Sequence, residues 1–265
     1  MIKVCVAGCT GWTGAAVTKA VLQSKDLRLV SSIARKSAGQ DAGEALGIGE
    51  AGIIVVSTLE QGLAARPDVV VDYIGAEGVK QRVLAALDKG ARVVVGSSGL
   101  SGDDYAEIEN AALQKNLGVA AAGNFSVTAA LAKKCAMLAA EHVPSWEIID
   151  YAQADKPDAP SGTARELAES LSKVRQNAVA IPVSETLGMA EARGATVAGA
   201  QVHSLRLPGF NFSFETVFGM AGERLSIRHD AGSSADPYVS GTLLAVRKVM
   251  SVTGLVRGMD KLLFG

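Results

Sequence analysis

Lys156-Pro157-Asp158-Ala159-Pro160-Ser161-Gly162-Thr163 combines residue types at a spacing suited to chemistry. It separates a strand-like apolar run (Trp146, Ile148, Ile149) from a run with helical spacing (Leu167, Leu171, Val174). The prolines fix φ, so the loop is stiff. Ser161, Gly162 and Thr163 stand at the start of a helix, where free N–H groups attract an anion. A cation beside them, Lys156, turns that seat into a pocket for a carboxylated substrate. The plainer reading is a helix cap, since Thr163-Ala164-Arg165-Glu166 fits a capping box. A cap that also meets an anion satisfies both readings.

The other end of the chain offers a cofactor for that pocket. The apolar run Lys3-Val4-Cys5-Val6-Ala7 leads into Gly8-Cys9-Thr10-Gly11-Trp12-Thr13-Gly14, and a helical pattern follows from Ala15 to Leu22. A tight turn and a close approach of backbone to a pyrophosphate both need residues without side chains. Gly8, Gly11, Trp12, Thr13 and Gly14 are therefore candidate dinucleotide contacts. The next strand pattern, Leu27 to Ala34, runs into Arg35-Lys36-Ser37 rather than into the acid that holds a ribose 2′-OH. Arg35 and Lys36 suit a 2′-phosphate, because a guanidinium binds phosphate through a fork of donors. NADPH is favoured, with NADH the alternative. An ordinary turn and a solvated pair of surface cations are the competing readings.

Elements must hold these residues in place. Val69 to Gly75, Arg92 to Val95 and Leu117 to Ala122 read as strands buried on both faces, separated by helical patterns at residues 79–87 and 103–115. That alternation predicts an α/β fold with a Rossmann-type, doubly wound parallel sheet. Ligands bind beyond the carboxyl ends of such strands, so Gly75, Gly96, Ser97, Ser98, Asn124 and Phe125 join the candidate cofactor contacts. After Ser126 the pattern changes. A long helix is expected over residues 127–142, a strand over 147–151, and alternating strands over 197–205, 210–218 and 224–229. This predicts a second, α+β domain with a mixed sheet over residues 127–235, used for substrate binding and self-association. The first domain would span residues 1–126, completed by a helical tail over residues 236–265.

The chain has 265 residues, 48% of them hydrophobic, and a net charge of −1. Such a balance suits a well-buried protein and argues against nucleic acid or a membrane surface as the main partner. The three cysteines, Cys5, Cys9 and Cys135, have no metal-ligand spacing and read as buried free thiols. No metal is expected. No signal peptide or membrane-spanning run is expected, which together with free thiols suggests a reducing cytoplasm.

These residues resemble a known family, the dihydrodipicolinate reductases of bacterial lysine synthesis. The resemblance covers nearly the whole chain. It rests on the glycine triplet, Arg35 with Gly43-Glu44 after it, Gly96-Ser97-Ser98-Gly99, Gly123-Asn124-Phe125-Ser126, the Lys156 to Thr163 loop and Glu223 to His229, the loop being the most specific. It implies reduction of a cyclic imine-like dicarboxylate by NAD(P)H and a tetramer built through the second domain. It also implies that Gly8, Gly11, Trp12, Thr13, Gly14 and Arg35 hold the dinucleotide. Gly96, Ser97, Ser98 and Asn124 would lie near the nicotinamide, and Lys156, Gly162 and Thr163 would bind substrate. The chain departs from the family at a His-His pair, replaced by Ala152 and Gln153. An arginine after His229 and a histidine near Phe210 to Phe218 are also missing.

The departure leaves the proton source open. Lys156, Asp155 and a water held by Gln153 are the candidates, and His203, Arg206 and His229 are weaker ones. A lysine near an anion keeps its proton, which suits binding better than acid catalysis. Three functions stay open: the family reaction with a relocated acid, a related reductase of another imino acid, and an inactive NADPH-binding paralogue. Retention of Lys156 at the anion seat speaks against the third.

Overall fold

The computed structural model describes residues 1–265. The chain forms two compact units, Met1–Val127 with Ala235–Gly265, and Thr128–Ser234.

The first unit begins with β1 (Ile2–Ala7), α1 (Trp12–Gln23), β2 (Leu27–Ile33), α2 (Ala42–Ala45), β3 (Val55–Val56) and α3 (Leu59–Leu63). It continues through β4 (Val69–Asp72), α4 (Val79–Asp88), β5 (Arg92–Val95), α5 (Gly102–Lys115) and β6 (Gly118–Ala121). The strands are rich in Val and Ala because both faces are covered; β4 and β6 are buried along their whole length. Cys5, Val70, Val93 and Val119 meet Val83, Leu87 and Ile108 in one core cluster. Each such aliphatic side chain contributes about 1.5–3 kcal/mol on burial.

The second unit contains α6 (Val127–His142), β7 (Ser145–Ala152), α7 (Gly162–Val174), β8 (Ala195–Val197), β9 (Ala200–Arg206), β10 (Phe212–Met220) and β11 (Glu223–Asp230). Its sheet runs β11-β10-β7-β9-β8, with β7 and β9 parallel and the other neighbours antiparallel. Alternation along β7 puts Trp146, Ile148, Asp150 and Ala152 on one buried face. Trp146 and Ile148 pack there with Ala132 and Ala136 of α6 and Leu167 and Leu171 of α7. The other face is lined by Glu147, Ile149, His203, Leu205, Val217 and Arg224 around a groove. The strand expected over residues 197–205 is instead a hairpin: Val197 ends β8 and Ala200 opens β9, with Ala198 (φ 47°) and Gly199 (φ 82°) in the turn. An alternating pattern passes unbroken through a two-residue turn, so periodicity alone did not mark it.

The C-terminal segment completes the first unit with α8 (Asp236–Lys248), β12 (Gly254–Arg257) and α9 (Met259–Phe264). The full sheet order is β12-β6-β5-β4-β1-β2-β3, parallel throughout. The tail is thus not only helical. Four residues of it, Gly254 to Arg257, pair with β6, a stretch too short for a period to be read. The chain adds β2 and β3 on one side of β1 and β4, β5 and β6 on the other, which places the strand-order reversal at β1 and β4. Cys5 and Cys9 are buried, but Cys135 is exposed, because a helix buries only one stripe. No helix is long and apolar enough to cross a membrane.

Candidate functional site

In the first unit, Gly8 closes β1 with φ +87°, and a Cβ there would lie 2.5 Å from the Tyr73 carbonyl oxygen. At Gly14 a Cβ would lie 1.9 Å from the Gly8 carbonyl oxygen, so α1 sits directly on the turn. The Gly11 N–H donates to the Gly8 carbonyl at 2.9 Å, which closes the turn. Gly11 is the N-cap of α1, with no side-chain cap and no acid in the first turn. The first-turn amides of Trp12 and Thr13 thus have no side-chain cap from Gly11. Trp12 is 57% exposed and meets Tyr238 edge-on at 5.8 Å. A donor set of open amides with no local carboxylate fits a pyrophosphate. Arg35 and Lys36 follow β2 as exposed side chains without a carboxylate partner.

The strand ends on the other side of β1 reveal a carboxylate that sequence reading passed over. Asp72 closes β4 and is buried. It accepts from Arg82 Nε at 2.6 Å, Ser97 Oγ at 2.8 Å and the Ile74 N–H at 3.0 Å. Arg82 Nη2 also donates to the Gly75 carbonyl at 2.7 Å, and Ser97 Oγ accepts from the Gly75 N–H at 3.0 Å. Ser97 thus fixes the backbone around Gly75. Its neighbour Ser98 is exposed. Gly96 lies against the Tyr73 ring, where a Cβ would be 2.1 Å from Cε1. The Tyr73 hydroxyl is 2.7 Å from Thr242 Oγ1, and burial pushes the phenol well above its ordinary pKa. Asn124 Oδ1 accepts from the Ser126 N–H at 2.8 Å, and the buried Phe125 meets Tyr73 edge-on at 6.4 Å. The one sequence signal for this network was an acid closing the apolar run Val69-Val70-Val71.

In the second unit, Lys156 Nζ lies 2.5 Å from Asp158 Oδ1 and 5.6 Å from the centre of the Phe212 ring. Lys156 holds the Asp158 carboxyl below its ordinary range. The cap of α7 is Ser161, not Thr163: Ser161 Oγ accepts from the Ala164 N–H at 3.2 Å. Ser161 also donates to Asp150, from Oγ at 2.7 Å and from its N–H at 2.8 Å. The hydroxyl of Ser161 is therefore engaged, while the N–H groups of Gly162 and Thr163 have no acceptor within the protein. Gln153 is exposed and donates to Asn211 Oδ1 at 3.1 Å, and Asp155 is exposed. Ala152 is fully buried.

Sequence reading gave Asp150 no role, yet it anchors this loop at 2% exposure. Arg206 Nη2 donates to it at 2.8 Å and to the Asp158 carbonyl at 2.7 Å. The two candidate histidines lie elsewhere. His203 pairs with Glu147 at 2.7 Å on the groove face of the sheet, opposite Asp150. His229 stacks on Phe214 with centroids 5.4 Å apart and has Thr128 Oγ1 at 3.1 Å; burial lowers its pKa.

A doubly wound parallel sheet with a glycine turn at its first strand, in one chain with a mixed-sheet unit whose loop carries Lys156 and leads to the N-terminus of α7, is the architecture of a nicotinamide-dependent oxidoreductase. The family description of dihydrodipicolinate reductase N-termini matches residues 2–125, and that of the C-termini matches residues 125–263. The chain belongs to the dihydrodipicolinate reductase family. It is 37% identical over 265 residues, the whole of both chains, to the 4-hydroxy-tetrahydrodipicolinate reductase of Carboxydothermus hydrogenoformans. It is also 37% identical over 263 residues to the enzyme of that name from Moorella thermoacetica, covering 99% of this chain and 98% of the relative. Among solved structures, the dipicolinate-bound dihydrodipicolinate reductase from Paenisporosarcina sp. TG-14 superposes with a TM-score of 0.85 at 30% identity, over 98% of each chain. An amine dehydrogenase from Mycobacterium smegmatis, at a TM-score of 0.66 and 16% identity over 98% of this chain and 95% of its own, shares the fold.

Proposed function

We propose that this chain catalyses the reaction of 4-hydroxy-tetrahydrodipicolinate reductase, reducing a C=N bond in a cyclic imine-like dicarboxylate of lysine biosynthesis. The carrying observation is the loop from Lys156 to Thr163, which holds a lysine paired with Asp158 and, past a Ser161 anchored to Asp150, two helix-start amides without an acceptor in the protein. The dinucleotide, when bound, supplies the hydride. Gly8, Gly11, Trp12, Thr13 and Gly14 hold its pyrophosphate, and Gly75, Gly96, Ser98, Asn124 and Phe125 shape the remainder of the groove. NADPH is the preferred cofactor, supported by the unpaired Arg35 and Lys36 where an acid would favour NADH. The units divide the labour, the first for cofactor and the second for substrate.

Lys156 serves to bind a substrate carboxylate, with the Gly162 and Thr163 amides beside it. With Ala152 and Gln153 in the places of two family histidines, the proton comes from a water at Gln153 or from Lys156 itself; the exposed Asp155 is the alternative. The buried methyl of Ala152 and the Phe212 ring near Lys156 favour a second reading, a related imine reductase with a different imino acid. The groove face of the second unit, lined by Ile149, Leu205 and Val217, suits a homo-oligomer, a tetramer by resemblance. A reducing cytoplasm suits the free Cys5, Cys9 and Cys135.

The test is NADPH oxidation with enzymatically generated dihydrodipicolinate beside a panel of cyclic imino acids. Fast turnover on dihydrodipicolinate supports the first reading, and turnover only on another imine supports the second. Tight NADPH binding with no turnover on any would reject both and indicate an inactive paralogue.

A further inference from the structure

Arg206 stands beside a loop proposed to bind carboxylates, yet its donors point into the protein. Nη2 goes to Asp150 Oδ2 at 2.8 Å and to the Asp158 carbonyl at 2.7 Å. Nη1 goes to the Leu205 carbonyl at 3.0 Å and the Asp150 carbonyl at 3.3 Å, and Nε is buried without a partner. Asp150 in turn takes the N–H and hydroxyl of Ser161 and, at 3.3 Å, the Ser204 hydroxyl. A buried carboxylate and one guanidinium therefore grip the loop at two points: at Asp158, two residues after Lys156, and at Ser161, directly before Gly162 and Thr163. Removing one member of such a pair leaves the other charge buried and unmatched.

We infer that Asp150 and Arg206 are positioning residues: they set Lys156 and the Gly162 and Thr163 amides in one geometry before substrate arrives, without touching it. Pre-ordering the loop in this way lowers the entropy lost on binding. The inference rests on the proposed seat at that loop. It predicts a loss expressed in substrate KM rather than in cofactor binding or in the chemical step.

Arg206→Lys keeps the charge and loses the fork. It is expected to raise KM for the substrate by about 10²-fold, the scale of a misplacement of about 1 Å. kcat should stay within about 3-fold and the NADPH dissociation constant should not move. Amide hydrogen exchange of the free variant should accelerate at residues 153–163 while β7, β9 and β10 stay protected. Unchanged KM together with unchanged loop exchange would overturn the inference, as would faster exchange spread over the whole sheet, which marks a merely structural role. Should Arg206→Lys melt the unit outright, Ser161→Ala, which removes one donor from the same carboxylate, is expected to give the same pattern more weakly; normal KM and loop exchange in that variant would refute the idea. If the wild-type protein does not turn over dihydrodipicolinate, the functional reading fails, and the loop exchange still decides the positioning role by itself.

Discussion

The two helix starts that carry the candidate chemistry are built in opposite ways. At α1 the close approaches are left to glycine: the N-cap is Gly11, and a Cβ at Gly8 or Gly14 would collide with backbone. At α7 the cap is a side chain, Ser161, fastened to the buried Asp150. A pyrophosphate, the anion proposed for α1, is large and needs several amides at close range, so bulk would be the hazard there. A single carboxylate, the group proposed for α7, needs few donors held still, so mobility would be the hazard there. One site is made by deletion and the other by anchoring.

The comparison can be broken most forcefully at α1. Gly14→Ala puts a methyl 1.9 Å from the Gly8 carbonyl oxygen. Overpacking of this kind costs about 1–3 kcal/mol, and the displaced turn should lose about 10²-fold in NADPH affinity. Fluorescence titration measures the affinity, and a variant that binds NADPH normally would remove the argument from close approach. Lys156→Met tests the anchored site: kcat/KM should fall about 10²-fold with NADPH affinity unchanged, since a charged contact to the substrate is lost. An activity loss matched by an equal loss of NADPH binding would contradict the division between the two starts.

Arg35→Ala sharpens the cofactor side. NADPH affinity should drop about 10-fold, or about 1.4 kcal/mol, while NADH affinity stays level. Equal losses for both cofactors would show that the guanidinium does not read the 2′-phosphate.

The smallest effect concerns a third helix start, α2, also anchored by an acid. Asp41 accepts from the N–H groups of Ala51, Glu44, Gly43 and Ile53, with Ala51 the largest influence, and its carboxyl is held below the ordinary range. A depressed folded pKa means that its stabilisation is complete above the unfolded value of about 3.9 and disappears as pH falls through the lower folded value. Asp41→Asn should therefore melt earlier than wild type between pH 5 and 7, and the gap should narrow below about pH 4. Thermal melts across that range test it; a gap that persists undiminished at pH 3 would mean that the charge is irrelevant.

Much of the architecture was legible because it rests on local pattern. The continuous apolar runs at Val69 to Val71 and Arg92 to Val95 have the composition of strands covered on both sides, and the parallel sheet follows from the helices between them. The hairpin at Ala198-Gly199 and the strand Gly254 to Arg257 escaped because neither interrupts nor extends a period long enough to read. Cys135 illustrates a different gap: helical periodicity finds a buried stripe but does not place a semi-polar residue on it. In the sites, residues with distinctive chemistry stood out, while Asp72 and Asp150 looked like ordinary acids at the ends of apolar strands.

The sequence by itself determined the glycine turn, the free cations after β2 and the stiff loop at Lys156, because φ restriction, missing side chains and charge are properties of residues in their own neighbourhood. Only the tertiary structure decided which groups remain available. The hydroxyls of Ser97 and Ser161 are engaged by Asp72 and Asp150, and Arg206, a weak candidate proton source by sequence, turns its donors inward to Asp150 and the Asp158 carbonyl. The physical reason is that a polar group's availability depends on whether another chain segment has already satisfied it. Those partners lie 25, 11 and 56 residues away in sequence, brought close by strand pairing that no local pattern encodes.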